Sequence, residues 1–181
     1  MFKLFWSFIV SISLSCVSAQ GSETTVDLNE NTVIYHGKLS PSANQKLLSI
    51  LKSGKSKVEW LSITSEGGEI NHGMDLGNIV QDYDLKLEVN EYCFSSCANY
   101  VFSAANHHRI SNHAVIGFHG GTTGMEKEII SFIDAMPEEE RESTKQNLEK
   151  YMKSAVIRER KFFEKISVLR QFSLISIYNI I

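Results

Sequence analysis

The sequence lacks the features that mark several common classes of protein. Lysine and arginine form no cluster except in residues 158–161, where Glu159 interrupts the basic run, and the formal net charge is −3. This balance gives no support for a nucleic acid as a partner. No internal repeat and no low-complexity segment occurs, so the pattern of the whole chain is that of an ordinary folded domain.

Metal-binding spacings are also missing. His107 and His108 are adjacent, with His113 nearby and His72 elsewhere in the chain. Neighbouring histidines cannot easily point at one ion, and no Asp, Glu or Cys completes a zinc-like spacing. The sequence therefore predicts no metal site and no cofactor.

The one long apolar run lies at the N-terminus. Lys3 is followed by apolar residues 4–17, a length typical of the core of a signal peptide and too short for a membrane span. Val17 and Ala19 are small residues at the two positions that a signal peptidase reads. We therefore predict a signal peptide over residues 1–19, with cleavage before Gln20.

Two alternatives stay open for this segment. It could be an uncleaved anchor, or Cys16 could carry a lipid, although Ser13 stands where a lipobox has leucine. Cleavage would leave about 160 residues with a net charge of −4, a length that suits one domain with one core. The predicted location is the periplasm or the medium.

Cys93 and Cys97 are the two cysteines that remain after cleavage. Export makes a disulfide between them plausible, because exported proteins meet an oxidising environment. Free thiols and a redox-active pair are the alternatives. A redox pair usually has two residues, not three, between its cysteines.

The rest of the chain alternates between strand-like and helix-like patterns, which predicts an α/β fold with a mostly parallel sheet and crossover helices. The expected strands and helices are, in order, strand 32–35, helix 41–53, strand 58–64, helix 70–80, strand 85–89, helix 95–105, and strands 109–110 and 114–118. We expect residues 20–124 to form the core of the domain. Residues 125–181 become helical and charged and are predicted to be a C-terminal helical arm, with residues 172–181 as an edge element.

Gly67, Gly68, Ser96 and His119 fall where predicted strands end or the following helices begin. In an open parallel sheet, ligands bind at this edge. Glycines there allow backbone N–H groups to face a pocket, and a serine at a helix start can be activated by a histidine. These are the parts of an acyl-transfer site. A helix cap, a strand-end histidine and a simple turn are the structural alternatives.

The motifs SEGG (65–68), SSCANYVFSAA (95–105) and AVIGFHG (114–120) together resemble the ClpP-type serine peptidases of the ClpP/crotonase fold. They are most similar to exported ClpP-like proteins of bacterial envelopes. The resemblance covers roughly residues 58–121. It implies a spiral of β-β-α units and a serine peptidase site.

Carried over residue by residue, the resemblance makes Ser96 the nucleophile and His119 the general base. The Gly67–Gly68 pair and Cys97 supply the oxyanion hole, with the backbone amides of Gly68 and Cys97 as donors. Ser95 is the rival nucleophile. The alignment of the A-A ending of the serine helix and that of the glycine spacing both favour Ser96.

The chain also departs from the family pattern. Glu66 replaces a proline, and Ala98 replaces a glycine. No Asp follows Asp134, so the acid that would orient His119 is missing where the family has it. Glu164 is the nearest substitute in sequence, with Glu159 behind it, and either would require the C-terminal arm to fold back over the site.

The resemblance implies an exported serine hydrolase of the peptidase type, whose substrate is a peptide or protein. The alternative is an inactive ClpP-like envelope protein that binds peptides or a partner protein. Homo-oligomers are common in this family and would assemble through residues 125–165. Outside the cytosol we expect no ATPase partner.

Overall fold

The computed structural model describes residues 23–54 and 57–166. The predicted signal peptide and the predicted edge element at 172–181 lie outside the described residues. The strands are β1 (Thr25–Asn29), β2 (Thr32–His36), β3 (Trp60–Ser65), β4 (Lys86–Phe94), β5 (His108–Ile110) and β6 (Val115–Gly117). The helices are α1 (Pro41–Ser53), α2 (Ile70–Asp82), a π-helix (Cys97–Phe102), α3 (Gly121–Gly124), α4 (Glu126–Asp134) and α5 (Glu138–Lys165).

The strands form one mixed sheet that is mostly parallel. Their order is β1-β2-β3-β4-β5, and β6 also pairs with β4, beyond the point where β5 ends. Only the β1–β2 hairpin is antiparallel among the described pairs. The predicted α/β class, the mostly parallel sheet and the C-terminal helical segment are confirmed.

Local signals position α1 as expected. Ser40 caps the helix by accepting a hydrogen bond from the amide of Ala43 at 3.3 Å, and Pro41 occupies the first turn. Gly54 ends the helix in the left-handed conformation, with φ +62°.

The core lies between one face of the sheet and the helices. Val33, Leu61 and Leu87 are neighbours across three strands and are fully buried, and Leu47 and Met74 of the helices are buried with them. Strand β3 is buried at every residue from Leu61 to Ser65, as expected for a central strand of a mostly parallel sheet.

The structure corrects three expectations about the elements. Residues 25–29 form β1 where no strand was predicted, because they pair with β2 through their backbone and bury only Val26. Strand β4 continues to Phe94, past the predicted end at residue 89, because Cys93 pairs with both Ser65 and Ile116. The serine-bearing helix is largely of π type.

The C-terminal segment is only partly an arm. Ala155, Phe162 and Phe163 of α5 are buried in the core, and the ring of Phe162 packs edge-on against Tyr100 of the π-helix at 5.7 Å between centroids. The second half of α5 therefore folds back onto the domain. In residues 23–54 and 57–166, no helix is both long and apolar enough to cross a membrane.

Candidate functional site

The glycine turn after β3 is built around Gly67. This residue has φ +94°, and a β-carbon there would lie 2.6 Å from the carbonyl oxygen of Phe94. Its amide donates to the Ser65 hydroxyl at 3.0 Å, and its carbonyl accepts from the Leu39 amide at 2.9 Å. Both the backbone conformation and the close contact require glycine.

The same contacts determine the direction of the Gly68 amide. The Gly67–Gly68 peptide bond is trans, so the N–H of Gly68 points opposite to the Gly67 carbonyl. Because that carbonyl faces Leu39, the Gly68 N–H points away from Leu39. The Gly68 N–H is therefore not used in the bridge between Leu39 and Gly68.

Ser96 lies in the interior. It is 1% exposed, and its hydroxyl donates to the Gly68 carbonyl at 2.8 Å. Its side chain faces α2, because a β-carbon on Gly73 would lie 2.8 Å from the Ser96 Cβ. The structure thus brings Ser96 and Gly68 together, and the Ser96 hydroxyl joins the glycine turn to the π-helix.

Ser95 lies at a strained bend of the backbone. It is half-buried and adopts the left-handed conformation, with φ +55°, at the bend between β4 and the π-helix. Such a conformation costs a non-glycine residue on the order of 1 kcal/mol and often marks a functional site. Its amide donates to the Gly117 carbonyl at 2.8 Å, so Ser95 runs beside the segment that leads to His119.

The predicted disulfide between Cys93 and Cys97 is confirmed. The two Cα atoms are 5.3 Å apart, and both residues are fully buried. The bridge joins the end of β4 to the start of the π-helix and encloses Ser95 and Ser96. It therefore covalently links both ends of the bend that carries the serine pair.

His119 follows β6 and meets the π-helix at Asn99. The Asn99 side-chain nitrogen lies 3.4 Å from both ring nitrogens of His119. Asn99 is 1% exposed, and its Oδ1 has no hydrogen-bond partner among the described residues. Because the two distances are equal, the amide nitrogen is not in line with either ring nitrogen, and the contact holds the amide against the ring without selecting one of them.

Glu164 does not occupy the position of an orienting acid. Its side chain is 68% exposed, and it lies 3.8 Å from Arg160 on the same helix. The reason is helical geometry: residues four apart share a face, and this pair lies on the face of α5 that looks to solvent.

Glu159, five residues earlier and therefore on another face of the helix, is fully buried. Its Oε1 accepts hydrogen bonds from the Tyr100 hydroxyl at 2.7 Å and from the Thr122 amide at 3.0 Å, and its Oε2 accepts from the Thr122 hydroxyl. Burial, followed by the nearby Glu159 charge and hydrogen bond, raises the pKa of Tyr100 well above its usual range. The acid that folds back onto the domain is therefore Glu159.

The histidines outside the site do not converge. The ring of His108 bonds the carbonyl of Phe102 at 2.8 Å, and His72 lies 3.6 Å from Glu69. Within the described ranges, no group of three metal-binding side chains lies close enough to hold an ion.

Sequence reasoning missed Asn99. The available signal was its polarity, because an amide occurs in the middle of an otherwise small and apolar helix. A buried amide needs partners, and that requirement could have directed attention to a ring such as His119.

Comparison with known proteins yields structural similarity only. No protein-family profile matches the chain, and no curated protein does. Among solved structures, an enoyl-CoA hydratase from Thermoplasma volcanium is 11% identical with a TM-score of 0.38, over 52% of this chain and 50% of the other. A membrane-bound stomatin-specific protease is 12% identical with a TM-score of 0.38, over 50% and 48%.

Pseudomonas aeruginosa DspI is 11% identical with a TM-score of 0.41, over 58% of this chain and 56% of the other. The chain thus matches about half the length of each of these proteins. Superpositions of this quality carry no argument about family or activity. The structure itself shows an α/β domain with a mostly parallel sheet and a C-terminal helix whose second half packs against the domain.

Proposed function

We propose that this protein is an exported serine hydrolase of ClpP-like type that cleaves peptides, with a nucleophile from the Ser95–Ser96 pair and His119 as the base. The observation that carries the proposal is the meeting of three segments at one edge of the sheet. The glycine turn after β3, the strained serine bend after β4 and the His119 segment after β6 lie side by side.

Of the two serines, the geometry favours Ser95. The Ser96 hydroxyl is buried and already donates to the Gly68 carbonyl. Ser95 is half-buried at a strained bend and is therefore more accessible to a substrate than Ser96. The sequence-based choice of Ser96 stays a prediction that the experiment below tests.

The proposed reaction is an acyl transfer. The serine oxygen attacks the peptide carbonyl while its proton moves to the His119 ring, and the carbonyl oxygen becomes an oxyanion held by backbone amides. With Ser95 as nucleophile, the donors are Gly68 and the following residue, Ser96, whose nitrogen would lie 2.9 Å from a β-carbon on Gly67. With Ser96, the second donor is Cys97. The protonated histidine then gives its proton to the leaving amine, and water releases the acyl group.

Asn99 is a partner of the His119 ring in this proposal. Its side-chain nitrogen lies 3.4 Å from both ring nitrogens. An amide can help to fix the orientation of a ring, but it supplies no full negative charge to stabilise an imidazolium. The contribution of Asn99 to the reaction is therefore one of position and not of charge.

The test is labelling of the purified protein with a fluorophosphonate probe. Ser95→Ala should abolish labelling, His119→Gln should reduce it strongly, and Thr24→Ala, a remote hydroxyl, should leave it unchanged. Loss in Ser96→Ala but not in Ser95→Ala would restore the sequence-based nucleophile. No labelling between about pH 6 and 9, where histidine becomes a base, would overturn hydrolysis.

A non-catalytic peptide-binding protein is the second candidate. It is favoured by the commitment of the Ser96 hydroxyl to Gly68 and by the exposed Glu66 at the turn. Equilibrium binding to a peptide library separates the two functions. Binding that survives both serine substitutions, in a protein that the probe never labels, would support this candidate.

A further inference from the structure

The buried carboxylate of Glu159 connects the C-terminal helix to the segment that carries His119. Thr122, three residues after His119, donates to Glu159 through both its amide and its hydroxyl. Tyr100, next to the His119 partner Asn99, donates to the same carboxylate. The Glu159 side chain of α5 is therefore bonded both to the turn that follows His119 and to the π-helix that carries Asn99.

The turn between His119 and Thr122 is shaped around this carboxylate. Gly120 and Gly121 have φ +90° and +63°, and a β-carbon on Gly121 would lie 2.2 Å from Glu159 Oε1. Only a residue without a side chain allows the carboxylate to reach the Thr122 amide past this point.

Burying a carboxylate is costly, and a well-packed apolar side chain at the same position would often be as stable or more so. Glu159 is fully buried, and the groups described as bonding to it are donors from two separate segments. A buried and hydrogen-bonded carboxylate of this kind fixes the relative position of the segments that it joins more than it raises the free energy of unfolding.

We propose that Glu159 is a positioning residue: it holds the 119–122 turn against the π-helix so that the His119 ring stays beside Asn99 and the serine bend. This inference rests on the proposed function for its effect on reactivity. The coupling between α5 and His119 can also be measured without any reaction.

The first experiment compares fluorophosphonate labelling of Glu159→Ala, Glu159→Gln and the parent protein at several probe concentrations. Glu159→Ala should lower the maximal labelling rate about tenfold, the equivalent of one or two lost hydrogen bonds. The half-saturating concentration should stay unchanged, because probe binding does not use the turn. Glu159→Gln should stay within about twofold of the parent, because its amide oxygen still accepts from Thr122.

Two further variants make the result specific. Thr122→Val removes only the hydroxyl donor, and should give a smaller loss in a protein that folds normally. Glu164→Gln, on the exposed face of α5, should have no effect. A folded Glu159→Ala protein with the parent maximal rate would overturn the inference, as would an equal loss in Glu164→Gln.

The second experiment follows the His119 ring by NMR, with its signal assigned through His119→Gln. Glu159→Ala should shift or broaden this signal and leave that of the exposed His36 unchanged. An unchanged His119 signal overturns the inference whatever the probe does. A changed signal in a protein that is never labelled supports the coupling and rejects hydrolysis.

Discussion

The Gly67 backbone approaches Ser95 so closely that a β-carbon on the glycine would lie 2.8 Å from the Ser95 Cβ. The glycine turn and the serine bend therefore pack with no space for a side chain between them. This contact, more than the sequence spacing, brings the backbone amides of the turn near the serine pair.

Gly67→Ala should consequently destabilise the fold strongly. The substitution combines a left-handed backbone with a contact of 2.6 Å to the Phe94 carbonyl oxygen, and we expect the free energy of unfolding to fall by about 3 kcal/mol or more. Gly54→Ala is the matched control. That residue is also left-handed, with φ +62°, but a β-carbon there meets nothing within 4 Å, so the cost should be about 1 kcal/mol. If urea unfolding gave equal losses of unfolding free energy for Gly67→Ala and Gly54→Ala, the contact with the serine bend would be unimportant.

Asn99→Asp should speed fluorophosphonate labelling. A carboxylate beside His119 supplies the charge that an amide lacks, so it stabilises the protonated ring. The pH at which labelling reaches half its maximum should also move upward, because the ring then holds its proton more tightly. Asn99→Leu, which is similar in size, should lose labelling. Identical rates and pH profiles in Asn99→Asp and the parent would exclude Asn99 as the ring's partner.

Removal of the disulfide should weaken both the fold and the site. Cys93→Ala with Cys97→Ala opens a short covalent loop, which costs about 2 kcal/mol in the chain-entropy treatment. Labelling should slow several-fold because the serine bend is no longer linked at both ends. Reduction of the parent with dithiothreitol should reproduce the change, and the double variant, as control, should not respond. A fully reduced parent that labels at its original rate would contradict this expectation.

Glu69 should make stability depend on pH in the acid range. It caps α2 at the His72 amide and also accepts hydrogen bonds from Asn71 and Tyr151. Burial raises the pKa of Glu69, but these hydrogen bonds outweigh that effect and hold it below the usual range. A carboxyl with a lowered pKa stabilises the fold fully above its unfolded value of about 4.3 and loses this contribution as the pH falls through the folded value.

The measurement is urea unfolding of the parent and Glu69→Gln between about pH 6 and 3, the range around the unfolded carboxyl pKa. The difference in unfolding free energy should be largest at the upper end and shrink as the pH falls. Glu66→Gln, at an exposed position two residues after Thr64, is the control and should show little difference at any pH. A difference in unfolding free energy between the parent and Glu69→Gln that does not change with pH would show that the charge of Glu69 plays no part.

Local signals in the sequence determined most of the elements. The Ser40 cap, Pro41 and Gly54 define α1, and alternating apolar residues define the central strands, because these signals act within a few residues of the chain. The same reasoning placed Gly67, Gly68, the serine pair and His119 at one edge of the sheet, and it identified the disulfide between Cys93 and Cys97.

Tertiary structure alone decided which side chain faces which. Ser95 and Ser96 are neighbours with the same hydroxyl, and only the folded chain leaves Ser95 half-buried at a left-handed bend while it buries Ser96 against Gly73. Glu159 and Glu164 likewise share one helix, yet only Glu159 lies on the face that packs against Tyr100. No local pattern encodes these choices, because they depend on contacts between segments far apart in sequence.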